Sequence, residues 1–107
     1  MSPVEELVAR ISALPGAVRT RSRFGPKERP AWSVLGHEFA HLHADDLLDL
    51  RLPCQVQASL RSDPRAHFRK SRSEWLEFEF HTMEDVAHLA SLAHEAWTAA
   101  RISKNDA

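Results

Sequence analysis

Gly36-His37-Glu38-Phe39-Ala40-His41-Leu42-His43-Ala44-Asp45-Asp46-Leu47-Leu48-Asp49-Leu50 decides how this chain is read. It packs three histidines into seven residues and contains a literal H-E-x-x-H at 37–41. On a helix, that spacing puts two imidazoles on one face, with the glutamate placed to activate a zinc-bound water. On a strand, His41 and His43 project from one face instead, and Asp49 belongs to the next strand. The surroundings favour the strand. Gly36 abuts the first histidine, no helix start or stop flanks the motif, and residues 38–43 alternate. A third zinc ligand at protease spacing is also missing, since the first glutamate after His41 is Glu74. The expectation is a β-hairpin that is not helical over 36–43, and no metalloprotease.

Working outward, turns and strands surround this block. Ala17–Phe24 alternates Val18, Thr20 and Ser22 with Arg19, Arg21 and Arg23, a strand with one basic face. Gly25–Pro30 has loop composition, and Ala31–Leu35 reads as a short apolar strand. Glu38–His43 returns, Ala44-Asp45-Asp46 turns, and Leu47–Leu52 alternates with Leu48, Leu50 and Leu52 inward. Pro53 opens a short helix to Arg61. Ala66–Lys70 is a short strand, and Ser71-Arg72-Ser73 a turn. Glu74–Phe80 puts Leu76, Phe78 and Phe80 on the core face, with Trp75, Glu77 and Glu79 opposite.

Helices close both ends. Ser2-Pro3 with Glu5 forms a capping box before Val4, Leu7, Val8, Ile11 and Leu14. Thr82 and Asp85 cap a long helix over Met83–Arg101, with Val86, Leu89, Ala90, Ala93, Trp97 and Ala100 at helical spacing. Residues 103–107 read as a frayed end. This order predicts a single α+β domain over 1–107. It has a mostly antiparallel sheet of about five to six strands, an N-terminal helix, a short middle helix and a long C-terminal helix.

Composition narrows the classes. The 107 residues are 43% hydrophobic and 27% charged, as in ordinary globular domains. No apolar run approaches the roughly 20 residues of a spanning helix, and no signal-peptide core follows the polar start. A soluble, cytoplasmic protein without membrane association is the expectation. Cys54 is the one cysteine, which forbids an internal disulfide; with no His or Lys beside it, it reads as an inert buried thiol. The charge is uneven. Residues 19–72 carry a balance of +5 and residues 73–107 of −5. Cross-strand pairing of Arg19, Arg21 and Arg23 with Glu77 and Glu79 is the reading preferred.

The ordered set of motifs resembles the bacterial "luciferase family" domain. Its signature runs roughly G-x-E-h-x-H-h-H-x-x-G-h-h-D-h, with h apolar. A Pro and a short helix follow, then a His before a turn, a Trp opening a strand, and E-D-V at a final helix. This chain supplies Pro53, His67, Trp75 through Phe80 and Glu84-Asp85-Val86 in that order, over about residues 4–98. The resemblance implies the same α+β layout and carries no assigned reaction. The family name does not establish light emission, and a flavin-dependent monooxygenase needs a far larger barrel. Carried over position by position, the polar signature falls on His41, His43, Asp49, His67 and Trp75. Where the family often has Gly in the turn, this chain has Asp46, which tolerates a left-handed conformation better than most residues.

Three functions follow as expectations. The first is a small binding or accessory domain for an unknown small-molecule or protein ligand, using a face lined by His41, His43, Asp49, His67 and Trp75. The second is a small hydrolase or proton-transfer enzyme on the same face, with histidines as acid and base and Asp49 orienting them. The third, disfavoured by the net charge of −1, is nucleic-acid binding through Arg19, Arg21, Arg23, Arg69, Lys70 and Arg72. His41, His43 and Asp49 have the donor types of a transition-metal site, but no metal or cofactor is assigned. His67 within hydrogen-bond reach of that trio would make a site credible, and His67 pointing to solvent elsewhere would weaken the binding-surface reading as well. Trp75 is either a stacking platform or a covered residue. His88 and His94 are expected to be exposed.

Overall fold

Alternation wins over the helical reading of the histidine block. In the computed structural model, which describes residues 1–24, 27–68 and 73–103, residues 37–44 form a strand. The elements run α1 (Pro3–Ser12), β1 (Val18–Phe24), β2 (Lys27–Val34), β3 (His37–Ala44), β4 (Leu47–Arg51), α2 (Cys54–Ala58), β5 (Ala66–His67), β6 (Trp75–Glu79) and α3 (Met83–Ser103). The strands make one sheet in the order β1-β2-β3-β4-β6-β5, every neighbouring pair antiparallel. The α+β layout is therefore as expected.

Side-chain alternation splits the sheet into two unlike faces. Trp32, Ala40, Leu42, Leu48, Leu50, Leu76 and Phe78 lie in the core with almost no exposed surface. α1 contributes Leu7 and Ile11 to it, and α3 contributes Val86, Leu89, Ala93 and Ala96. Two indoles stitch the layers. Trp32 Nε1 donates to Ser12 Oγ at 2.9 Å and Trp97 Nε1 to the Pro15 carbonyl at 2.8 Å, so neither buried N–H is left unsatisfied. Both expected caps form. Ser2 and Glu5 bond reciprocally at α1. At α3, Asp85 accepts from the backbone of His81 and Thr82 while Thr82 Oγ1 accepts from Asp85 N.

The hairpin turns carry the departures from simple alternation. Leu35-Gly36 joins β2 to β3 with both φ positive (52° and 81°), the signature of a type I′ turn. The Asp45-Asp46 turn between β3 and β4 is made without a left-handed residue, so the tolerance of Asp46 for that conformation is not called on. A bulge at its side supplies the twist instead. The β3–β4 pairing jumps from Leu42↔Leu48 to Ala44↔Leu47, leaving His43 as an extra residue. A second bulge lies where β2 meets β3, between Ser33↔Glu38 and Trp32↔Ala40, and leaves Phe39 extra.

Several boundaries differ from the sequence reading. β2 begins at Lys27, so residues 27–30 belong to a strand and not a loop. They pair with β1 alone, because the β2–β3 ladder stops at Ala31, next to Pro30, which has no N–H to offer. The expected pairing of β1 with the strand of Glu77 and Glu79 is not formed. Three strands separate β1 from β6, and Arg21 pairs with Glu28 across its own hairpin at 3.1 Å. Cys54 is exposed at the start of α2, not buried, since that short helix buries no residue fully. His94 is exposed as expected, whereas His88 is half-buried and bonds Asp63 at 2.6 Å. Residues Gly25, Pro26, Arg69, Lys70, Ser71 and Arg72 lie outside the described residues, as do residues 104–107, on which most of the expectation of a frayed end at 103–107 falls; Ser103 itself closes α3. No helix among the described residues is long and apolar enough to cross a membrane.

Candidate functional site

The second face of the sheet is polar at its centre. Register places Thr20, Ala31, His41, Asp49, Glu77 and His67 in one row across all six strands. Asp49 has no exposed surface and His41 only 9%. Burying a carboxylate costs several kcal/mol by order of magnitude unless it is paired, and here it is. His41 Nε2 lies 2.8 Å from Asp49 Oδ2 and His41 Nδ1 lies 3.1 Å from Glu38 Oε2. Two ionised carboxylates offer only acceptors, so an imidazole that satisfies both donates from both nitrogens and is an imidazolium. Burial pulls its pKa down, but the hydrogen bond and charge of Asp49, with those of Glu38, outweigh it, and the pKa is raised above the usual 6.5.

The bulges assemble this arrangement. Strict alternation would put Glu38 on the helix side and Phe39 beside His41. With Phe39 as the extra residue, Phe39 enters the core and Glu38 turns to His41. The other bulge lets His43 reach along the row. Its Nδ1 lies 3.5 Å from Asp49 Oδ2 and 3.3 Å from Glu77 Oε2. The result is an alternating chain, Glu38–His41–Asp49–His43–Glu77, running over β3, β4 and β6. His43 is its outermost imidazole, with 44% of the side chain exposed.

Trp75 supplies an aromatic wall. Its ring lies 4.6 Å from the His41 ring, tilted by 39°. Its position is fixed from behind. Trp75 N donates to Ser73 Oγ, Gln57 on α2 donates to the Ser73 and Leu52 carbonyls, and Arg51 pairs with Glu74. Trp75 is half-buried against His41, between the stacking-platform and covered readings.

Of the five residues carried forward from the sequence, four come together: His41, His43, Asp49 and Trp75. His67 shares their face, opposite Glu77, but bonds Glu79 at 3.1 Å rather than the trio, and His81 grips the other oxygen of that glutamate. Asp49 shares their face, outside the apolar core, and is fully buried among its partners. Glu38 and Glu77 are the participants sequence reading missed. Glu77 was visible as an outward residue of its strand; the pairing of β6 with β4 was not. His37, the first histidine of the protease-like motif, is four strand residues from His41, about 13 Å at strand rise, so the two cannot chelate one ion.

Two hollows lie elsewhere among the described residues. One of about 420 Å³ is lined by Arg19, Thr20, Arg21 and Glu28, and one of about 470 Å³ lies between Val4 and Val8 of α1 and the β1–β2 arm. Their lining includes the Arg21–Glu28 and Arg29–Asp45 ion pairs. Volume alone does not make them the site. The polar row gathers buried titratable groups, and these hollows contain none.

A family model described as "Luciferase domain" matches residues 36–96. That span begins at the Leu35-Gly36 turn, ends within α3, and takes in every member of the carboxylate–imidazole chain. The chain belongs to the Luciferase domain family. No curated protein and no solved structure matches it. The match leaves out α1, β1 and β2, and with them the β1–β2 hairpin arm.

Proposed function

We propose that this Luciferase domain is a small binding or accessory domain that takes a polar small ligand on the β3–β4–β6 face. The observation that supports it most is the buried Asp49 held by His41 at 2.8 Å with His43 and Glu77 at its outer side. A sheet face left to solvent has no need of a fully buried carboxylate, and such a group is costly unless matched. The chain of charges offers directed hydrogen bonds, and Trp75 offers a flat apolar wall beside them, the usual mixture of a ligand site. The test is a fragment screen by two-dimensional amide NMR on chelator-treated protein. Fragments should shift the amides of His41, His43 and Glu77 and the Trp75 indole. Binding confined to the hollow at Arg19, Glu28 and Pro30 would refute this reading.

A second reading has its own support in His43. A half-exposed imidazole beside a buried carboxylate is the arrangement of an oriented general base. Under it, His43 would accept a proton from a bound ligand, and Asp49 would hold the ring and balance the charge. Turnover of any ester or amide probe that His43→Gln abolishes, with fragment affinity kept, would favour this reading over simple binding.

A further inference from the structure

We infer that the outer end of the carboxylate–imidazole chain is a divalent transition-metal site, with His43 Nδ1, Asp49 Oδ2 and Glu77 Oε2 as ligands. This deepens the proposal of a ligand-binding face and rests on it. The three atoms lie within 4.8 Å of one another. Two of the separations are 3.3 and 3.5 Å. Both exceed the roughly 2.7–3.2 Å of a good N–H···O hydrogen bond. They match the spacing between ligands around a tetrahedral zinc, about 3.3–3.6 Å for bonds of about 2.0–2.2 Å. Two of the three separations are therefore compatible with a shared ion.

The chemistry of the donors agrees. One imidazole with two carboxylates suits Zn²⁺ or Mn²⁺, and two negative ligands balance the charge of a divalent cation. Calcium and magnesium prefer oxygen donors alone. The surroundings resemble the outer shell such sites carry. His41 donates to Asp49 Oδ2 and is held at its other nitrogen by Glu38, so the ligating carboxylate is itself oriented. His41 is thus a positioning residue. Three protein ligands, with His43 and Glu77 partly exposed, leave the outward side for water or a ligand oxygen. A metal there gives the face its specificity for anionic or oxygen-rich ligands.

The test uses the whole 107-residue chain, stripped with chelator and titrated with Zn²⁺ alone by calorimetry, then with Co²⁺ alone by visible absorption. One equivalent should bind. His43→Gln and Glu77→Gln, both on the partly exposed rim, should each weaken Zn²⁺ by at least tenfold while amide spectra stay folded. His41→Gln should weaken it about 10- to 100-fold, as loss of an orienting partner does. His81→Gln, at the neighbouring His67–Glu79–His81 cluster, should change nothing. Absence of uptake, uptake indifferent to His43 and Glu77, or uptake lost in His81→Gln would overturn the assignment. If stripped protein takes no Zn²⁺ yet still binds fragments against Trp75, the metal assignment alone fails. If neither binds, the ligand face fails with it.

Discussion

The two faces of the sheet solve the same burial problem in opposite ways. Beneath α1 and α3, the strands present leucines and Phe78, which need only volume and shape. On the other side, at the same depth of burial, stands Asp49 with His41 over it. The apolar face is held by area removed from water, non-directional and tolerant of repacking. The polar face is held by directed, charge-assisted bonds that fail sharply when one partner is lost. A small domain with one core gains little stability from a buried ion pair that well-packed hydrophobes could not supply. Among the described residues it stands on one face, beside an exposed histidine and a tryptophan, which is what supports the proposal of a ligand face there.

This contrast can be broken from either side. Phe78→Ala, opposite Leu48 at the sheet centre, should have the largest effect, a loss of about 3–5 kcal/mol in urea unfolding. Asp49→Ala follows, at about 3 kcal/mol by the usual cost of breaking a buried pair. The paired change His41→Leu with Asp49→Leu should cost less than Asp49→Ala alone. If the double change proved worse, the polar row would be a stability device and the contrast would collapse.

Smaller effects sharpen it by touching neither face. Asp85 caps α3 and accepts from Arg65, whose guanidinium holds the carboxyl well below its ordinary 3.8. Asp85→Ala should cost about 1–2 kcal/mol, the range of a lost cap. Because the folded-state pKa is depressed, this contribution is complete above about pH 4 and fades as pH falls through the lower folded value. The variant should therefore show a flatter stability profile below pH 4 than the parent in acid titration followed by circular dichroism. Arg21→Ala, whose side chain is 80% exposed in its pair with Glu28, should change stability by less than about 0.5 kcal/mol by thermal melting. A larger loss would mean that the β1–β2 arm has a packed role.

The parts of the fold that follow from local rules were legible in the sequence. Thr82 and Asp85 announced α3, and Leu48, Leu50, Leu76 and Phe78 named the core side of their strands by period alone. His41, His43 and Asp49 were placed on one face by the same period. What escaped was non-local. Glu77 joins the cluster because β6 lies beside β4, and nothing in residues 74–80 specifies that neighbour; the same strand could have paired with basic β1, the pairing preferred from charge. Glu38 escaped because a bulge at Phe39 inverts the alternation. Bulges follow from turn geometry and twist, and leave no mark in a pattern of polar and apolar letters. The strand at Lys27–Pro30 was hidden by proline and charge, which mark loops in general but are tolerated where a strand is paired on one side only.

The Leu35-Gly36 turn has a last consequence. Because a strand repeats every two residues, the number of residues in this turn acts as a parity setting for all of β3. Adding or removing one residue would exchange odd for even positions. His41 would then point at α3, and Leu42 would point outward. Length changes tolerated here must come in twos, or arrive with a compensating bulge such as those already at Phe39 and His43. Chains that share this site but differ in that turn should therefore differ by an even count, a rule that can be read from lengths alone.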